Sequence, residues 1–366
     1  MRIAVAMSGG VDSAVAALLL RREGHDVVAL SMQLLDASEG GRIGRCCSGD
    51  DLEDARRAAW SVGILHFVLD FEETFRREVR EPFVRSWLAG ETPVPCLECN
   101  TRVKFGPLLD KARALGCERL ATGHYARIVD GPDGLPRLAR ATDLDKDQSW
   151  FLWELPPETL RSVLFPLGER TKAETRRIAR EAGLSVAEKP ESQEICFVPP
   201  GTNHADLVDR EAPPGGPLRA GSFVDREGRI LGHHAGFHRF TVGQRKGLGI
   251  GFGERTFVLE VRPGSGEVVL GPPEGLLVDR LDLRQVRWFG PAGGSRCQAR
   301  IRSRGGEEPA LFELGSEAGV ARVRFDRPVR RSAPGQPLVA YGDGGMVLGG
   351  GRIAPDRSGS NPATGG

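Results

Sequence analysis

Ser8-Gly9-Gly10-Val11-Asp12-Ser13 is the stretch whose reading decides the fold. It follows an apolar run at 2–7 that reads as a short buried strand. It opens a segment, 13–22, that reads as a helix with Gly24 as its stop. Glycines there let the backbone approach an anion, and a helix N-terminus aims N–H groups and positive dipole at it. Ser8 and Ser13 add hydroxyl donors. Asp12 repels phosphate, so its expected role is to hold a bridging Mg2+. The loop lacks the Walker A pattern, and the dinucleotide pattern G-x-G-x-x-G is absent too. The plainer reading, a glycine turn with a serine cap, explains neither the aspartate nor the strand-to-helix context.

Working outward, 25–32 reads as a second strand, 50–62 as a helix and 66–70 as a third strand. Residues 74–88 follow as a helix entered or interrupted near Pro82, then 105–115 as a helix and 119–123 as a strand. Strands alternating with helices predict a doubly wound parallel sheet covered by helices. Near residue 200 the texture changes to brief Val-, Phe- and Leu-rich runs between glycines and prolines. Segments 257–261, 267–270, 298–301, 319–325 and 337–341 read as strands of a small barrel or sandwich. The expected organisation is an α/β domain over 1–200, a small linker domain over 201–273, a β-barrel over 274–354 and a disordered tail over 355–366.

The chain has 366 residues, 40% apolar and 27% charged, which excludes a coiled coil, a collagen-like chain and a wholly disordered one. Its net charge of +1 requires any nucleic-acid partner to meet a local positive patch. No apolar run reaches the ~18 residues of a membrane span, and the N-terminal run is too short for a signal peptide. A reducing, cytoplasmic setting is expected. There the 7 cysteines read as thiols or ligands.

Cys96-Leu97-Glu98-Cys99 follows Pro93-Val94-Pro95, so the pair sits on a loop or at a helix start, and Cys196 stands far off. One C-x-x-C with one remote cysteine is open to three readings: a dithiol for sulfur transfer, an iron–sulfur site with an open position, or a zinc site short of a ligand. Cys117 and Cys297 lie in apolar patterns and read as core fillers. Cys46 and Cys47 have no evident partner pair and read as structural or incidental. His233, His234 and His238 lack a cysteine or carboxylate that would complete a metal set.

The motifs occur in a telling order. After the glycine loop come P-x-P-C-x-x-C-N with Lys104-Phe105, A-T-G-H-Y-A-R at 121–127 and K-D-Q-S at 146–149. S-Q-E-I-C-F at 192–197 and T-V-G-Q-R-K-G-L-G at 241–249 complete the series. The hexapeptide resembles the loop of the ATP pyrophosphatases. The ordered set, from the first residue to about Ile353, closely resembles the tRNA-specific 2-thiouridylase family. The resemblance implies an ATP-dependent tRNA-uridine sulfurtransferase that replaces O2 of the wobble uridine by sulfur, forming AMP and pyrophosphate. It implies ATP binding by Ala6, Met7, Ser8, Gly9, Gly10, Val11, Asp12, Ser13, Met32 and Gly123. It implies tRNA contacts by Val94, Pro95, Cys96, His124, Lys146, Asp147, Gln148, Arg302, Ser303 and Gln336, with 94–96 approaching the target base of the anticodon stem-loop. Position 303 is often aromatic in such proteins, so Ser303 lacks the stacking part of its contact.

By the same resemblance Cys99 is the nucleophile and Cys196 carries a persulfide, delivered by a cysteine desulfurase or relay protein. Adenylation turns a poor leaving oxygen into a good one. The persulfide attacks C2, and Cys99 resolves the bridge, leaving 2-thiouridine and a Cys99–Cys196 disulfide. Many relatives carry Asp where this chain has Cys96, a candidate general base. Cys96, Cys99 and Cys196 holding three irons of a [4Fe–4S] cluster is therefore the competing reading. Arg296, Arg300, Arg302 and Arg304 alternate, so one strand face would track phosphates, and Gln244-Arg245-Lys246 is a second candidate. Another pyrophosphate-loop ligase, amidating a small molecule, is the alternative enzyme. A non-catalytic iron–sulfur RNA-binding protein is the alternative of a different class.

Overall fold

The computed structural model describes residues 1–35, 49–191, 195–199, 201–213, 220–249 and 255–355. Cys46, Cys47, the Ser192-Gln193-Glu194 part of the cysteine motif and the tail 356–366 lie outside the described residues. Two compact units form. The first is Met1–Phe83, Pro95–Leu207 and Tyr341–Val347; the second is Val84–Val94, Val208–Ala340 and Leu348–Gly366. The expected linker domain and barrel thus share one unit, and each unit borrows a short piece of chain from the other's sequence range.

The first unit is built on five parallel strands: β1 (Arg2–Ala6), β2 (Asp26–Gln33), β3 (Leu65–Asp70), β4 (Arg119–Thr122) and, beyond a hairpin, a two-residue strand Val163–Leu164. Their order is β3-β2-β1-β4 and then Val163–Leu164, so the winding reverses between β1 and β4. This is the doubly wound sheet the alternation predicts, and its switch point is where such sheets bind ligands. Ile3, Ala4 and Val5 are fully buried, as a central parallel strand requires. Helix Val11–Arg22 is buried along most of its length because Ala14, Ala16 and Ala17 let it pack closely. The hairpin Arg127–Asp130 with Pro136–Ala139 and the helix Lys172–Glu181 went unread in the sequence.

Two helical stretches depart from regular α geometry. Glu72–Phe75 runs through a π-helical Arg76–Arg80 into Glu81–Leu88, and Pro95–Cys99 runs through a π-helical Asn100–Leu108 into Leu109–Ala114. The second carries Pro107 and a kink at Phe105. Proline removes a helix hydrogen bond, which explains the irregularity, and such insertions recur at functional sites.

The second unit contains a four-stranded sheet and a closed six-stranded barrel. The sheet places Phe257–Arg262 beside Glu267–Gly271, then Gly221–Val224 and Ile230–His234, with aromatic and Val/Leu side chains as its core. The barrel strands are Leu277–Trp288, Gly294–Arg300, Glu308–Leu314, Val320–Arg330, Pro337–Tyr341 and Val347–Ile353. The first pairs with the last to close the ring. Barrel, not sandwich, is the outcome. No helix among the described residues is long and apolar enough to cross a membrane.

Candidate active site

Ala6 pairs with Leu30 of β2 and Thr122 of β4, so the loop leaving β1 emerges at the carboxyl ends of three strands. Gly9 has φ +71°, and a Cβ there would lie 2.2 Å from the Asp51 carbonyl oxygen, so only glycine fits. Ser13 Oγ donates to the Gly10 carbonyl at 3.1 Å and accepts from the Ser8 N–H at 3.3 Å, which pins the turn. A Cβ on Gly123 would meet Ser13 N at 2.6 Å, so the exit of β4 runs directly against the helix start. Gly10 caps that helix with no side chain. Its first turn is left for an outside acceptor, an arrangement suited to phosphate. Met7 is buried and donates its N–H to the Leu30 carbonyl at 2.8 Å, and Val11 and Met32 are buried beside it. All ten residues implied in ATP binding therefore gather at one end of the sheet.

The sequence did not reveal what surrounds them. Lys172 Nζ lies 2.7 and 2.8 Å from the two oxygens of Asp12 and 2.7 Å from Glu191 Oε1. Lys146 Nζ holds the other side of Glu191 at 2.8 Å. Tyr125 donates its hydroxyl to Asp12 Oδ1 at 2.9 Å. Lys189 bonds the Gly9 carbonyl at 3.0 Å and the carboxylates of Asp51 and Asp54 at 2.7 and 2.6 Å. Burial opposes the charge on Glu191, but the two ammonium groups outweigh it and hold its carboxyl down at about 2. Burial and Asp12 push the Tyr125 hydroxyl up, so it stays a donor.

Asp12 thus has a cationic protein partner, Lys172, in addition to any metal that arrives with the phosphates. Among the described residues no group of three or more His, Cys, Asp or Glu is placed to hold a metal ion. Mg2+ is commonly held by one or two carboxylates together with substrate phosphates. Asp12 and Glu191, converging on one cation, fit that donor set. Lys172 occupies the first turn of its helix, where a cation opposes the macrodipole, and its two carboxylate partners offset that.

Cys99 is buried at 8% exposure, while Cys96, three residues earlier on the same helical turn, is exposed. The turn Pro95–Cys99 packs against the π-helical Arg76–Arg80. Below it Asn100 donates to the Phe151 carbonyl at 3.0 Å and accepts from Lys104 at 3.1 Å, which gives the motif's asparagine and lysine a structural task. Cys196 is half-buried, and its neighbour Phe197 packs edge-on against Phe75 and Phe83, with centroids 5.6 and 5.1 Å away. The turn carrying Cys99 and the residue after Cys196 thus dock on one helical stretch, 75–83.

The residues expected to face RNA divide. His124 is packed against Phe105 and Phe165 and hydrogen-bonded to Thr122 at 2.8 Å. Burial, then the Lys104 charge, keeps its imidazole neutral. Asp147 is buried: it accepts from the N–H groups of Ala141 and Ser149 and from the Ser149 hydroxyl, so it holds a turn together. The Gln148 side chain accepts from the Tyr125 N–H at 2.9 Å. In the barrel the arginine stripe does not form one face. Arg296 is exposed and paired with Asp326, but Arg300 is buried and bonds the Arg302 and Ser303 carbonyls. Arg302 donates to the carbonyls of Arg330 and Arg331 at 3.0 and 2.7 Å. The alternation failed because the strand ends at Arg300. Gln244 closes its own turn onto Lys246, leaving Arg245 and Lys246 exposed. His234 and His238 are buried, and they join no metal group. Cys117 and Cys297 are core residues, as their surroundings predict.

Comparison with known proteins adds the following. Three family models match in sequence: a tRNA methyl transferase HUP domain over 1–200, a tRNA methyl transferase PRC-barrel domain over 216–272 and an aminomethyltransferase β-barrel domain over 278–353. A tRNA-specific 2-thiouridylase MnmA from Rhodospirillum rubrum is 47% identical over 368 residues, covering 97% of this chain and 97% of the relative. Its counterpart from Geobacter metallireducens is 48% identical and covers 96% of both. Among solved structures, a 4-thiouridine synthetase–RNA complex with bound ATP overlaps 57% of this chain and 49% of its own. Its TM-score is 0.35 at 15% identity, too low to bear on function.

Proposed function

This chain belongs to the tRNA-specific 2-thiouridylase family, and from that premise we propose that it is an ATP-dependent tRNA-uridine 2-sulfurtransferase. The observation that carries the reading is a pairing within one unit. An uncapped loop and helix start ringed by Lys172 and Lys189 stands in the same fold as two thiol-bearing segments docked on residues 75–83.

In the first half-reaction the uridine O2 attacks the α-phosphorus of ATP, pyrophosphate leaves and the oxygen becomes part of an AMP ester. Loop N–H groups and the ammonium of Lys172 meet the charge that develops on the departing pyrophosphate. Asp12 and Glu191 would hold Mg2+ arriving with ATP, which would supply further neutralisation there. Lys189 holds the Gly9 carbonyl and so supports the left-handed turn at that glycine.

In the second half-reaction the terminal sulfur of a Cys196 persulfide forms a bond to C2, and AMP departs with the former O2. The Cys99 thiolate then attacks Sγ of Cys196. That forms the Cys99–Cys196 disulfide and releases the electron pair to the sulfur left on C2 as thiouridine. The persulfide comes from a donor protein, and a dithiol reductant must reopen the disulfide before the next turnover. Both belong to the reducing cytoplasm. Cys96 is exposed beside Cys99, and as a thiolate it would accept the uridine N3 proton. Pro95, Cys96, His124, Lys146 and Gln148 are the proposed approach to the wobble uridine of the anticodon stem-loop, and Asp147 supports them from within. Val94, Arg302, Ser303 and Gln336 are proposed tRNA contacts of the second unit.

Nucleoside mass spectrometry tests this. Unmodified tRNA is incubated with the protein, ATP, Mg2+, a persulfide donor and a dithiol. The expected result is 2-thiouridine with one AMP released per thiolated base. AMP release with a small amine acceptor and no thiouridine would favour the ligase reading instead.

A further inference from the structure

The residues just before the thiol helix belong to the other unit. Val84–Val94 clusters with the barrel and the middle sheet, whereas Pro95 onward clusters with the parallel sheet. Within the second unit this segment is held at close range. Thr92 donates its N–H to the Pro334 carbonyl at 2.8 Å, and its own carbonyl accepts from the Gln336 side-chain amide at 3.0 Å. The carboxylate of Glu91, 15% exposed, pairs with the guanidinium of Arg284 on the first barrel strand. Gly335, at φ +86°, lies so near that a Cβ there would stand 3.1 Å from Glu91 Cβ and 3.2 Å from the Thr92 carbonyl. Only Pro93, Val94 and Pro95 separate this anchor from Cys96, and two prolines make a stiff connection.

We propose that Gln336 and Arg284 are positioning residues for the chain that leads into the thiol helix: they hold it at Thr92 and Glu91, a short and stiff step before Cys96. This deepens the sulfurtransferase reading and rests on it for its functional meaning. Gln336 then acts through the protein backbone, in addition to any contact with RNA. The consequence is local: loss of either anchor loosens the chain entering the turn that carries Cys96 and Cys99.

The test reads the thiols directly. The full chain and its Gln336→Ala, Arg284→Ala and Arg284→Lys variants are treated with iodoacetamide, and alkylation rates at Cys96, Cys99 and Cys297 are followed by peptide mass spectrometry. Cys297 is buried in the barrel, where burial pushes its thiol up to about 12, so it reports loss of the fold. Gln336→Ala and Arg284→Ala are expected to raise Cys99 alkylation about fivefold. That is the factor one hydrogen bond of ordinary net strength gives in a local opening equilibrium. Arg284→Lys should recover most of the protection and Cys297 should stay silent in every variant. In tRNA thiolation the two alanine variants should lose kcat at unchanged KM for ATP. Cys99 rates within twofold of wild type in both alanine variants would overturn the proposal. So would a rise at Cys99 matched by a rise at Cys297. Alkylation needs neither ATP nor tRNA, so a wild type that alkylates as expected but makes no thiouridine would refute the reaction and leave the anchoring intact.

Discussion

The nucleotide loop and the thiol segments lie in one unit but are built on opposite plans. The loop is fixed by short-range geometry: a left-handed glycine, a serine bridging its own turn, and ammonium groups within 3.0 Å of its carbonyl and carboxylate oxygens. Cys99 sits on a helical turn that runs into a π insertion, and Phe197, next to Cys196, packs edge-on against Phe75 and Phe83. Phosphoryl chemistry gains from donors that are in place before the substrate arrives, because nothing then has to reorganise. Sulfur relay needs a thiol that meets a donor protein, then a base, then a second thiol, so at least one thiol segment has to change partners during the cycle.

That contrast makes graded predictions. Cys99→Ser or Cys196→Ser should lower thiolation by at least about a thousandfold, as loss of a nucleophile does, with ATP binding intact by calorimetry. Loss of ATP binding in either variant would mean that the two regions are not separable. Lys172→Ala should slow tRNA-dependent pyrophosphate release about a hundredfold, the usual scale for one preorganised charge. Cys99 alkylation should be unchanged. Gly9→Ala should destabilise the fold by about 1–3 kcal/mol from the φ alone, more if the Asp51 carbonyl cannot give way, read as a lowered denaturation midpoint. The smallest effect concerns pH. Glu191 is held at about 2 against an ordinary 4.5, so its pairs with Lys146 and Lys172 contribute fully above pH 4.5. The contribution is lost as pH falls toward 2. The stability difference between Glu191→Gln and wild type should therefore be full above pH 4.5, about 1 kcal/mol once solvent screening is allowed for, and shrink toward zero as pH falls to 2. A difference that persists at pH 2 would refute the assignment.

What could be read in advance follows the same divide. The strand, loop and helix at 2–22 are contiguous and governed by local backbone rules, so six residues indicated the anion-binding turn, while the alternation of strands and helices through residue 123 indicated the doubly wound sheet. Lys172 and Lys189 meet Asp12 and Gly9 across 160 and 180 residues, and no local pattern encodes such partners. Asp147 looked like part of an exposed motif because sequence cannot distinguish a carboxylate that closes a turn from one that faces a ligand. The arginine stripe misled for a physical reason: period-two reading holds only while the strand lasts, and it stops at Arg300. Strands Leu277–Trp288 and Glu308–Leu314 went unread because charged residues on the barrel's outer face mask their inward apolar positions.

The central claim is that sulfur reaches the base through Cys196 and leaves Cys99 bonded to it. The most direct measurement is a single turnover with labelled sulfur. The protein is loaded with an isotopically labelled persulfide and the loaded cysteine is located by peptide mapping. ATP, Mg2+ and tRNA are then added without reductant. The account predicts label on Cys196 before the reaction, label in 2-thiouridine after it, and one Cys99–Cys196 disulfide per labelled base. Labelled 2-thiouridine formed with Cys99 and Cys196 both still reduced would contradict it.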